Sequence, residues 1–334
     1  MAKKPKSQNK FKSMMTTVYA FSVLLAAAIL AYALLETDAP SELAYDASVT
    51  LDEETLEVIT DLGSRFIPIK RVDKLLPTYE PPWKKYAAVT PVSNDKPRIA
   101  IVIDDLGLSR STSIEFSRMD GPLTLSYLPY AEDLAWQTAT IRKSGHELLV
   151  HMPMAPKNTI KADPGPEALY ADLTDIEFDR RLDWNMRRFN GFVGINNHMG
   201  SGLTANGPKM ARVIAYLKRE GFLFLDSLTT PKSKGHLIAD KMGIPYQIRD
   251  VFLDNKRNIS AINKQMRIVE RIAKKRGYAI AIGHPYPETI AVLKEWLSTR
   301  KDRGYELVPV SSLMKKSKNL FTSKQVSEMF SGAN

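Results

Sequence analysis

The stretch Arg98-Ile-Ala-Ile-Val-Ile-Asp-Asp-Leu-Gly107 decides the fold. Five consecutive apolar residues run straight into two adjacent carboxylates and a glycine. A continuous apolar run bounded by turn signals predicts a strand buried on both faces, as in a parallel sheet. In α/β folds, ligands bind at the carboxyl ends of such strands, so Asp104 and Asp105 are expected at the mouth of a barrel or crevice. Two neighbouring carboxylates repel one another, so a metal, another cation or a shared proton is expected beside them. The local alternative is that Asp104 caps the next helix and Asp105 is a solvated turn residue.

Working outward, the alternation of strand and helix begins at this stretch and persists to residue 313. Strand patterns fall at 98–104, 123–128, 147–152, 193–198, 222–227, 246–253, 278–284 and 306–310. Helical patterns fall at 111–119, 133–144, 174–189, 208–220, 233–242, 259–276 and 287–298. Strands alternating with helices imply a parallel sheet. Eight such steps in this length predict an α/β fold, a (β/α) barrel that is closed or nearly closed, with seven to eight parallel strands. A doubly wound open sheet is the alternative, but no Gly-x-Gly-x-x-Gly follows the first strand, which argues against a dinucleotide fold.

The polar residues that bear chemistry collect at the carboxyl ends of these strands. They are Asp104 and Asp105, His151, the run Asn196-Asn-His198, Asp226 and His284. His198 sits in Gly194-Ile-Asn-Asn-His-Met-Gly-Ser-Gly202, whose glycines and short polar side chains allow close backbone approach. Asn197 and Ser201 of this run are candidate substrate contacts. One carboxylate of the Asp104–Asp105 pair with the imidazoles of His151 and His198 makes an open metal site, and these are the candidate ligands. His284, between a glycine and a proline, is held at the mouth as a candidate general acid, with a third metal ligand as the alternative. Asp226 is a candidate for orienting His284 or touching substrate, with helix capping as its local role. Arg249 and Asp250 interrupt an apolar strand; they are expected to pair, or Arg249 to hold a carboxylate of the first strand or a substrate. His146 is expected to be structural and His236 to lie at the surface. The long Pro-rich loop after the third strand, 153–170, is expected to wall the pocket.

Outside the barrel, five lysines in residues 1–13 precede an uncharged apolar run at 14–35. That run is long enough to cross a bilayer, and the basic segment predicts a cytoplasmic N-terminus with the rest exported. A cleaved signal peptide, with Ala31-Tyr32-Ala33 as its processing site, is the alternative. Either way the main domain is expected in the periplasm, anchored to the inner membrane through the N-terminal helix in the first case. Residues 36–96 form a Pro-rich linker or strap with a short helix at 52–62, and 314–334 a basic tail. The formal charge of +10 is read as spread over surface helices and termini, and no basic stripe with interleaved aromatics is evident, which argues against nucleic-acid binding. The chain has no cysteine, so any metal is held by histidines and carboxylates.

These stretches, with Gly145-His-Glu-Leu-Leu-Val-His-Met-Pro-Met154, Phe224-Leu-Asp-Ser227, Arg249-Asp-Val-Phe-Leu-Asp-Asn255 and Ile282-Gly-His-Pro285, resemble the polysaccharide deacetylase (NodB-homology) superfamily, in particular its divergent branch. The resemblance spans 97–313 and implies a NodB-like barrel and hydrolysis of N- or O-acetyl groups on an acetylated polysaccharide or peptidoglycan-like polymer. It implies Asp104 as base, Asp105 and His151 on a divalent metal, most naturally zinc, and His284 as acid. The superfamily's second third-strand histidine falls here on Ala155, and in the divergent branch His198 is its implied replacement. A barrel kept as a non-catalytic glycan-binding or scaffold module is the competing expectation.

Overall fold

The computed structural model describes residues 46–65, 79–90 and 95–314. The apolar run at 14–35 and the tail beyond 314 lie outside them. Among the described residues no helix is long and apolar enough to cross a membrane.

The order is α1 (Glu53–Arg65), α2 (Pro82–Lys85), β1 (Arg98–Leu106), α3 (Arg110–Ser117), β2 (Thr124–Tyr127), α4 (Leu134–Lys143), β3 (Glu147–Met154), α5 (Asp175–Met186), β4 (Gly194–Met199), α6 (Gly207–Glu220), β5 (Leu223–Asp226), α7 (Gly235–Met242), β6 (Tyr246–Ile248), β7 (Val251–Phe252), α8 (Ile259–Arg276), β8 (Tyr278–Gly283), α9 (Pro287–Thr299) and β9 (Glu306–Leu307). The sheet is parallel throughout and runs β6-β5-β4-β3-β2-β1-β8-β7, with β9 beside the start of β1.

The two ends of this path, β6 and β7, are one interrupted strand. The backbone N–H of Arg249 still donates to Asp226 on the β5 side, while that of Asp250 donates to Ile280 of β8. The sheet therefore curls into a (β/α) barrel that closes through two residues of chain rather than through a ladder. The stretch 246–253 is not one continuous strand because its polar pair, Arg249 and Asp250, is where it changes partner. Asp250 does not pair with Arg249: its carboxylate takes Arg276 and the N–H of Ile280.

Period-two alternation sorts the strand residues. Ala100, Val102, Leu149, Leu223, Leu225, Ile280 and Ile282 fill the barrel interior. Ile99, Ile101, Ile103, Leu148, Val150 and Phe224 face the helices. Gly194 is forced by closeness: a Cβ there would stand 2.1 Å from the carbonyl oxygen of Leu223 on β5. The described parts of the linker lie on the barrel. Asp52 caps α1 through the N–H of Thr55 and pairs with Lys234 just ahead of α7.

Candidate metal centre

Continuing the inward alternation one step beyond the apolar plug gives Asp104 on β1, His151 on β3, Asn196 and His198 on β4, and His284 after β8. The β3–β4 register places His151 beside Asn196 and Pro153 beside His198. Asp105 would face outward by the same rule. It does not, because the β1–β2 register slips between Ile103 and Leu106, setting Asp104 and Asp105 together opposite Ser126. Bulges of this kind re-aim side chains next to active sites. Asp105 also takes a left-handed backbone, φ 57°, an uncommon state for a non-glycine residue.

Three donor atoms converge. Asp105 Oδ1 lies 2.9 Å from His198 Nδ1 and 3.2 Å from His151 Nε2, and the two nitrogens are 3.2 Å apart. Donors ~2.0–2.2 Å from a tetrahedral ion stand ~3.3–3.6 Å from one another, so this triangle is close to one face of such a site. Asp105 Oδ1 is buried and forms no well-directed hydrogen bond despite its two neighbours. Two imidazoles and a carboxylate therefore fit a divalent metal ion, with coordination positions left open. Asp105, His151 and His198 are the one such cluster among the described residues.

Asn196 was legible only as part of a polar run, yet it is the hub of the floor. Its Nδ2 donates to Asp104 Oδ1 at 2.8 Å and to Ser227 Oγ at 3.1 Å. Its Oδ1 accepts from Ser126 Oγ and from His151 Nδ1 at 2.9 Å. Because Oδ1 accepts, His151 carries its proton on Nδ1 and presents the Nε2 lone pair to the triangle. His284 is oriented by Asp254. Its Nδ1 donates to Asp254 Oδ1 at 2.9 Å, its backbone N–H to Oδ2 at 2.6 Å, and Thr289 Oγ1 to the same Oδ2. His284 Nε2 then lies 3.8 Å from Asp105 Oδ2. Asp254 is a site residue that the strand pattern does not single out, since Asp226 is the more regular strand-end carboxylate.

The electrostatics follow from burial and these contacts. Burial pushes the Asp104 carboxyl up, outweighing the pull of His151 and His284. Burial pushes Asp105 up as well, but His151 and His198 outweigh it and hold it well below the usual carboxylate range. For His151 burial works downward, and Asp104 and Asp105 more than reverse it. His284 is likewise lifted, burial being overcome by Asp254 and then by Asp104 and Asp105. Asp105, His198 and His284 side chains remain 29%, 13% and 16% exposed, so solvent reaches them.

The other candidate contacts have hydrogen-bond partners of their own. Asp226 is fully buried and holds the start of α7 through Ser233 Oγ at 2.7 Å and His236 Nδ1 at 2.8 Å; it neither orients His284 nor reaches the mouth. His236 is accordingly a core residue and not a surface one. Asn197 is buried, accepting from the N–H of Ser227 and donating to the carbonyl of Met199. Arg249 donates to the carbonyls of Ser227 and Leu228 and packs over Phe252. Ser201 accepts from the N–H of Lys157 and ties down the loop after β3. His146, at the opposite end of the barrel, accepts the Leu123 N–H and is structural.

Comparison with known proteins identifies relatives in sequence and fold. The chain is 31% identical over 232 residues to an uncharacterized protein of Haemophilus influenzae, covering 70% of this chain and 82% of that one. It is 33% identical over 220 residues to the uncharacterized protein YibQ of Escherichia coli K12, 66% of each chain. The crystal structure of an uncharacterized protein from Agrobacterium tumefaciens C58 superposes with a TM-score of 0.65 at 29% identity, covering 70% of this chain and 95% of that one. The sequence model of divergent polysaccharide deacetylases matches residues 101–314, the barrel from within β1 to the end of the described chain. The chain therefore belongs to the divergent polysaccharide deacetylase family.

Proposed function

We propose that the chain is a metal-dependent deacetylase that hydrolyses N- or O-acetyl groups of an envelope polysaccharide. The observation that carries this reading is the Asp105–His151–His198 triangle flanked by one carboxylate and one oriented imidazole. When bound there, a divalent ion supplies polarisation of the acyl carbonyl and a lowered pKa for water.

The chain's own residues supply the proton transfers. Asp104 keeps Oδ1 on Asn196, which leaves Oδ2 to accept the proton of the attacking water. Its burial-raised pKa suits a general base better than a free carboxylate does. His284, fixed by Asp254 through Nδ1, holds a proton on Nε2 at the mouth and delivers it to the departing amine or alkoxide. The reaction is an acyl C–N or C–O cleavage in which water adds, acetate leaves and the sugar recovers an amine or hydroxyl. Placement belongs to the same reading: the charge pattern of residues 1–35 supports export, with the barrel in the periplasm and the N-terminal run as anchor. A C-terminal alkaline phosphatase fusion that is active in whole cells is the expected outcome.

The test is acetate release from N- and O-acetylated oligosaccharides by zinc-loaded full-length protein. The expected result is turnover that falls by at least ~10²-fold in Asp104→Asn. A protein that binds zinc and glycans yet releases no acetate from any of them is a glycan-binding module, and the catalytic reading fails.

A further inference from the structure

Helix α8 starts at the rim of the mouth and runs for 18 residues down the outside of the barrel. Its apolar side, with Ile262, Met266, Val269 and Ala273, is buried. Its exposed side carries Lys264, Arg267, Arg271, Lys274 and Lys275 and no acid. At 3.6 residues per turn these five fall within a stripe about 100° wide. The one carboxylate of the helix, Glu270, is buried and taken by Trp296 Nε1 and Arg303. Arg267, Arg271 and Lys275 have no carboxylate partner among the described residues. On α5 and α6 the pattern is opposite, with Arg180, Arg187 and Arg212 each held by Glu or Asp. Within 98–314 the positive excess is thus concentrated on this flank and not spread evenly over the helices.

This ridge is continuous with the mouth. The loop ahead of α8 stacks the Arg257 guanidinium 3.8 Å from the centre of the Tyr286 ring, and that ring is 5.4 Å from the ring of His284. Lys256 is exposed beside it. We propose that the ridge from Arg257 to Lys275 is a binding track for an acidic polysaccharide, so that the polymer presented to the mouth bears carboxylate or phosphate groups. The inference rests on the deacetylase reading for what happens at the mouth, and on the charge of α8 for the track. A helix that docks on a bilayer places large apolar side chains beside its cations. The exposed stripe of α8 has none between Lys264 and Lys275, which favours a hydrated polymer over a lipid surface. A helix of this length offers ~27 Å of track, long enough for several sugars.

The test is fluorescence anisotropy of the full-length protein with labelled polygalacturonate, labelled neutral dextran and phosphatidylglycerol vesicles. The expected result is at least tenfold tighter binding of polygalacturonate than of dextran, weakening as salt rises. The triple variant Arg267→Glu, Arg271→Glu, Lys275→Glu is expected to lose about tenfold or more with an unchanged melting curve. The conservative set Arg267→Lys, Arg271→Lys is expected to retain binding. Equal binding of both polymers, no loss in the triple variant, or a loss confined to the vesicles overturns the proposal. None of these readouts needs turnover, so a chain that releases no acetate still passes or fails here. Acetate release without polygalacturonate binding removes the track alone.

Discussion

Replacing Asn196 by Ala separates a merely packed residue from one that sets up the metal centre. The side chain is fully buried and makes hydrogen bonds to His151, Asp104, Ser126 and Ser227. The two serine hydroxyls can rotate to new partners, so the larger cost falls on the imidazole N–H and on Asp104 Oδ1. Leaving each unsatisfied costs ~1–3 kcal/mol, and water entering the vacated space recovers part of it, so a stability loss of about 2–4 kcal/mol is expected. The second effect is on the tautomer of His151. Without an acceptor at Nδ1 the ring is free to carry its proton on Nε2, where no lone pair is then offered to a cation. Loss of such an outer partner weakens metal affinity ~10–100-fold, or ~1.4–2.7 kcal/mol. Urea unfolding of the metal-free protein reads the first effect. Zinc competition against a chromophoric chelator reads the second. Zinc affinity within twofold of wild type, together with the expected stability loss, refutes the tautomer argument and leaves Asn196 as packing.

Asp254→Asn is expected to lower kcat by about 10²-fold with KM within about twofold, because it unfixes His284 without touching the triangle; a change in KM alone contradicts the assignment. Burial holds the pKa of His146 below its ordinary value, since its ring accepts the Leu123 N–H while neutral. The unfolded chain therefore takes a proton near pH 6.5 that the folded chain refuses, and stability falls as pH drops through that region. Denaturation midpoints at pH 7.5 and 5.5 are expected to separate more in wild type than in His146→Gln, and equal slopes exclude His146 as the cause. Gly194→Ala is expected to cost about 3 kcal/mol or more, since its Cβ would overlap the backbone carbonyl and the side chain of Leu223 on β5. Gly63→Ala, in α1 with nothing within 4 Å, is expected to gain about 0.5–1 kcal/mol, and thermal unfolding of the two variants checks the contrast.

The barrel was readable because its signals are local. The apolar run into Asp104 and Asp105 gives strand, direction and mouth at once, and period-two alternation then stacks His151, His198 and His284 on one rim. What escaped was set by tertiary detail. The bulge that turns Asp105 inward shows only in the β1–β2 register, although two adjacent carboxylates with one expected job each are a hint that alternation breaks there. Asp254 and Asp226 both end strand patterns, and only the pairing of β7 with β8 reveals which one reaches His284. Asn196 differs from Asn197 by one position and therefore by the face of the strand. The outward lysines around His236 suggested a surface histidine, but Asp226 draws its ring into the core. Five of the six cations of α8 are spaced through 264–275 with buried residues between them, and they form one ridge only when wound on a helix.

Zinc affinity of the full-length protein, with the His198→Ala variant measured beside it and His146→Gln as a histidine control outside the triangle, tests the central claim most directly. The account predicts one tightly bound zinc per chain, affinity reduced by at least ~100-fold in His198→Ala, and no change in His146→Gln. A wild-type protein that holds no zinc at micromolar supply, or a His198→Ala protein that holds it equally well, contradicts the account.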